Sequence, residues 1–192
     1  PTHTLYLDSG NYDLFEPIVL SGTGERSNDE GFTLTGPLDT SRTALLRHAL
    51  PSALPLIELD NADLVTVAHL TVERGSQGLW VHSDSTEVTA RYLTIPFPLD
   101  AGVRIDGSSS AKWLDHLVIT GSDGVGIASA GAVSRLTNSR IIGSRHDGIV
   151  LVNAVALAME GNEVATNGGT GIYLYQTGSE VAVIGNDDLS LA

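Results

Sequence analysis

A step of about 23 residues runs through most of this 192-residue chain, and it limits the fold more than any local propensity. One set of short apolar segments starts at Val67, Ala90, Leu114, Leu136 and Met159, each 22 to 24 residues after the last. A second column keeps the same step: Gly78-Leu79, Gly102-Val103, Gly126-Ile127, Gly148-Ile149 and Gly171-Ile172. Each repeat holds short alternating runs, such as Val103 to Asp106 and Ile172 to Tyr175, separated by Gly, Ser, Asn and Asp clusters. Strands this short cannot form an ordinary sandwich. They predict an all-β, single-stranded parallel β-helix, a solenoid in which each strand pairs with its equivalent about one coil later, roughly 4.8 Å along the axis. Val72, Ile95, Ile119, Ile141 and Val164 then form one interior ladder, and Leu79, Val103, Ile127, Ile149 and Ile172 another.

The regular coils are expected over residues 52–192, as one continuous domain. Residues 1–51 break the period and read as irregular N-terminal coils, with strands at Thr4 to Leu7, Pro17 to Leu20 and Phe32 to Thr35. Thr43 to His48 reads equally as a strand or a one-turn helix. Val181 to Ile184 and Asp188 to Leu191 begin a further coil that the chain leaves unfinished. Together with a start at Pro1 that shows neither Met nor signal peptide, this predicts a module of a larger parent chain with further domains.

Composition narrows the function. Lys+Arg 10 against Asp+Glu 23 gives a net charge of -13, and Lys112 is the one lysine, so no nucleic acid partner is expected. With no Cys there are no disulfides, thiolate metal sites or cysteine nucleophiles. No apolar run approaches the roughly 18 residues of a membrane span.

The stretch Asp100-Ala101-Gly102-Val103-Arg104-Ile105-Asp106, continuing to Trp113-Leu114-Asp115-His116, resembles the "D-A-I…V-W-I-D-H" segment of pectate lyases. The coils as a whole resemble the pectin-lyase-like right-handed parallel β-helix superfamily, with its carbohydrate-binding and sugar-hydrolysis repeats. That resemblance implies a right-handed coil and a secreted or cell-surface, bacterial protein acting on or binding polysaccharide. It does not carry over the lyase site. Pro98 stands where the family has a calcium-binding Asp, and Thr166 to Thr170 replaces the segment that supplies its catalytic arginine. Asp100 and Asp123 remain as weak metal candidates. No cofactor is expected, calcium included. The Asn-Thr-Asp, Gly-His-Gly and Asp-Pro-His motifs of related polygalacturonases and epimerases are absent from the sequence.

Strand alternation supplies the candidate site. With Leu79 and Val81 inside, Trp80 and His82 point out, as do Glu58 and Asp60 before them, Arg104 and Asp106 after them, and Tyr173 and Tyr175 further on. Stacked at about 4.8 Å, these residues could hold a polysaccharide, Trp80 against a sugar ring and Arg104 on a carboxylate. In an enzyme, a lyase, epimerase or glycosidase acting on uronate-containing polymers, His82, Arg104 and Asp106 would carry the chemistry. The same residues also suit a plain solvated ladder, and so a spacer or adhesin stalk with no ligand. Trp113, Asp115 and His116 read as strand framework, and His3, His48, His69 and His146 lack metal-ligand spacing. Gly185 to Leu189 fits one copy of a calcium-binding nonapeptide and also the ordinary coil pattern.

Overall fold

A computed structural model describes residues 3–22, 30–39, 41–82, 84–107, 109–153, 157–175 and 182–184. The motif at Gly185 to Leu189 and the run Asp188 to Leu191 lie outside them. Every strand pairing is parallel, and each joins one coil to the next. The coil has three faces. One is a seven-stranded sheet in the order Ile172–Tyr175, Ile149–Val152, Val125–Ser129, Ala101–Ile105, Gln77–His82, Ile57–Asp60, Ile18–Ser21. The other two are halves of a fourteen-stranded sheet, joined where the long strands Thr66–Glu73 and Val88–Pro96 run from one face into the other.

The predicted interior ladders pair in the predicted register. Leu79 faces Val103, Val103 faces Ile127, Ile127 faces Ile149 and Ile149 faces Ile172. Ile95, Ile119, Ile141 and Val164 form the second stack. All are at most 1% exposed. Parallel strands covered on the inside by aliphatic stacks lose almost all contact with water there, which is the main stabilising term of such a coil.

The leading segments use the same three faces with longer loops. Thr4–Tyr6 pairs with Thr33–Thr35, which pairs with Thr66–Glu73, and Ile18–Ser21 pairs with Ile57–Asp60. Ala44–His48 is a strand, with alternating burial and His48 inside, where its Nε2 meets the Pro55 carbonyl at 3.0 Å. It pairs with Gly10–Leu14, a strand whose Gly, Asn and Asp content reads locally as a turn. At the other end Ala182–Ile184 pairs with Ala158–Glu160, so a further coil does begin.

Two corners of the coil are each made by one left-handed residue. His69, Tyr92, His116, Asn138 and Gly161 have φ between 50° and 64°, and Arg74, Phe97, Gly121, Gly143 and Thr166 between 52° and 69°. That conformation costs a non-glycine residue on the order of 1 kcal/mol. The ladders on either side hold it in place, because any other φ would break the register of both strands.

Candidate functional site

The outer face of the seven-stranded sheet carries the predicted ladder. Glu58 faces Trp80 and Asp60 faces His82, while Trp80 faces Arg104 on the next coil. Ala128 and Val150 then separate this patch from Tyr173, and Val152 faces Tyr175. Around Asp106 the side chains bind one another. His82 Nδ1 lies 2.8 Å from one carboxylate oxygen, and Arg104 Nε donates to the other at 3.3 Å. Burial opposes ionisation of Asp106, but the contacts from His82, Trp80 and Arg104 outweigh it and hold the carboxyl below the usual aspartate value. Asp106 is therefore held as a carboxylate by its neighbours.

Trp80 is also committed within the chain. The Arg104 guanidinium sits over its ring at 5.2 Å, and the His82 ring lies 4.7 Å away, tilted by 41°. Its Nε1 is shut off from solvent without a hydrogen-bond partner of good geometry. Much of the indole is thus covered by neighbours. Tyr173 and Tyr175 form a nearly parallel pair with centroids 6.4 Å apart and are more open, at 39% and 50% exposure. Asp100 accepts from Gln77 Nε2 at 2.7 Å, and Asp123 pairs with Arg145 at 3.0 Å. These two carboxylates do not meet in a cluster, and among the described residues no group of three His, Asp or Glu side chains is placed to hold a metal ion.

Asp115 and His116, read from the sequence as framework, do lock one coil to the next. The buried Asp115 carboxylate accepts from Thr137 Oγ1 at 2.6 Å and Asn138 Nδ2 at 3.0 Å, both on the following coil, and contacts His116 Nδ1 at 2.8 Å. Burial works against the anion, yet these donors hold its carboxyl below the ordinary value. A depressed folded pKa contributes stability above the unfolded pKa, and that contribution is lost as pH falls through the folded value. Asp115→Asn is expected to lower the melting temperature at pH 7. The gap to the native protein should narrow as pH drops below about 4 in a scanning calorimetry series; a constant gap would show that the carboxylate is not held as an anion.

A groove of about 680 Å³ opens at the first left-handed corner, between that corner and Pro37, Leu38, Arg42 and Thr43. His69, Tyr92 and His116 stack there in one column, with centroids 4.6 Å apart at each step. Arg42 and Arg91 also line it.

A family model described as right handed beta helix region matches residues 56–187. The chain belongs to the right-handed beta helix family. As in that family's description, the coil is right-handed, the hand that parallel strand connections adopt almost without exception. No curated protein sequence matches this β-helix. Among solved structures it is similar to the Agl-KA catalytic domain, at 14% identity and a TM-score of 0.50, covering 97% of this chain and 40% of that one. The catalytic domain of a GH87 alpha-1,3-glucanase in complex with nigerose follows at 15% identity and TM-score 0.44, covering 97% of this chain and 39% of that chain. An Azotobacter vinelandii mannuronan C-5 epimerase A-module gives 15% identity and TM-score 0.37, with 95% and 68% covered. At such identities the likeness is one of fold, and this β-helix spans about 40% of the length of the first two.

The corner residues were within reach of the sequence. His69, Tyr92 and His116 each stand two places after the starts at Val67, Ala90 and Leu114, so they form a third column of the same period. The groove itself was not, because its other wall is the aperiodic loop that carries Arg42.

Proposed function

We propose that this β-helix binds polysaccharide along the outer face of its seven-stranded sheet and catalyses no reaction there. The observation that carries the reading is the side-chain network around Asp106, which holds Trp80, His82 and Arg104 in fixed positions on two adjacent strands. A pre-ordered polar and aromatic patch loses little freedom on meeting a ligand, and the coil spacing of about 4.8 Å repeats along it. Because Arg104 already covers part of the indole, a sugar would contact the guanidinium and the ring edge, with Tyr173 and Tyr175 as a second contact further along. Such contacts support affinities of about millimolar to tens of micromolar. At physiological salt the repulsion from the chain's net charge of -13 is screened beyond about 8 Å, leaving these local groups to decide. A secreted or cell-surface location fits such a role.

Calorimetric titration with acidic and neutral oligosaccharides tests the reading. Trp80→Ala and Arg104→Ala should each weaken binding at least fivefold, and Arg135→Ala should leave it unchanged. Binding indifferent to both outer-face substitutions would instead make the ladder a solvated surface and the module a spacer. A second reading, a lyase or epimerase, draws on the His82–Asp106 contact, since a carboxylate that orients an imidazole suits it to take a proton. Ultraviolet-absorbing unsaturated products from a uronate polymer, lost in His82→Ala, would establish the lyase, and inverted C-5 centres in the polymer's proton NMR spectrum without such products the epimerase.

A further inference from the structure

The corner groove differs from the rest of the molecule in charge. The chain carries 23 acidic residues, yet among the described residues none that lines this groove is Asp or Glu, while Arg42, Arg91, His69 and His116 all face it. Arg91 is exposed and has no ion-pair or hydrogen-bond partner among the described residues. Its charge instead bears on His69, whose imidazole is kept from protonation by burial first and by Arg91 second. The next residue in Arg91's strand column is Asp115, and its carboxylate is already occupied by His116, Thr137 and Asn138. Arg42 is fixed on the facing wall by Asp8 at 2.7 Å and Ser9 at 3.0 Å.

The stacked column decides what kind of body the ligand has. His69 and His116 cover both faces of Tyr92, so the column keeps its central ring closed to a flat ligand. What it offers are ring edges with hydrogen-bonding atoms at coil spacing, beside the hydroxyls of Thr43, Thr71 and Thr94. His116 contacts Asp115 through Nδ1, which leaves Nε2 as the ring atom for a ligand. At about 680 Å³ the groove is also far larger than a lone inorganic anion needs. The geometry points to a second ligand site, separate from the outer ladder, that takes a hydroxyl-rich molecule bearing a carboxylate, sulfate or phosphate, with the oxyanion on Arg91 and the imidazole edges beside it.

The test is calorimetry on the whole chain with trigalacturonate, maltotriose and inorganic phosphate as probes. Trigalacturonate should bind saturably, phosphate should bind more weakly and compete with it, and maltotriose should not bind. Arg91→Ala should weaken trigalacturonate at least tenfold at this site, Arg74→Ala should leave it unchanged, and the loss should persist in an Arg104→Ala background. In proton NMR, ring resonances of His69 and His116 should shift on binding. Absence of saturable anion binding, or equal affinity for phosphate and trigalacturonate, would overturn the inference. So would binding that Arg104→Ala abolishes and Arg91→Ala spares, because the ligand would then sit on the ladder alone.

Discussion

Replacing Ile141 by aspartate is expected to remove a large part of the chain's stability at room temperature. Ile141 is fully buried between Ile119 on the coil before and Val164 on the coil after, in a stack of aliphatic side chains. A carboxylate there must either ionise in a dry interior or take up a proton at neutral pH, and each route costs about 4 kcal/mol or more. That is a large part of the stability of a domain of this size. Arg140, the next residue on the same strand, points outward and pairs with Glu163 across the surface, so Arg140→Gln should barely move the urea midpoint. Similar midpoints for Ile141→Asp and Arg140→Gln would mean that the strand has the opposite facing.

Gly126→Ala is expected to be nearly as damaging, although it adds one methyl group. A Cβ at Gly126 would run into Ile141 Cγ2 and stand 2.5 Å from the carbonyl oxygen of Gly148. Gly102 is in the same position against Ile119 and the Gly126 carbonyl, as is Gly148 against Val164 and the Gly171 carbonyl. The glycine column exists because a branched side chain from the neighbouring face already fills the corner where its Cβ would go. Neither the backbone oxygen nor the packed isoleucine can give way without disturbing two coils, so the expected loss is about 3 kcal/mol. Gly107→Ala serves as the control, since its Cβ would meet only Ala130 atoms, at 3.6 and 3.8 Å. Equal melting temperatures for the two variants would refute the packing account.

What the sequence made legible was whatever repeats in the interior. Leu79, Val103, Ile127, Ile149 and Ile172 must match in size because each packs on the one before, so their spacing records the coil directly. The outward partners Glu58, Trp80 and Arg104 followed from alternation alone. What alternation cannot state is whether outward side chains face water or one another. Arg104 over the Trp80 ring depends on rotamers, and a sequence does not carry those. The corner positions repeat with the coil, but their left-handed conformation was hidden for a different reason. Left-handed positions are usually found by Gly or Asn, and here His69, Tyr92, Phe97 and Arg74 occupy them under tertiary constraint. Gly10–Leu14 was masked in the same way, since pairing with Ala44–His48 overrides a turn-like composition.

Parallel pairing between successive coils also governs how the molecule responds to force. Thr4–Tyr6 and Ala182–Ile184 lie at opposite ends of the row of strands, and each coil is hydrogen-bonded to its immediate neighbours and to nothing further off. Tension applied at the two ends therefore peels strands from the last coil one bond after another instead of shearing many at once. Each regular coil freed in this way releases roughly 80 Å of extended chain while the coils behind it keep their own ladders intact. A β-helix of this kind lengthens in steps under load and rewinds on the template that remains.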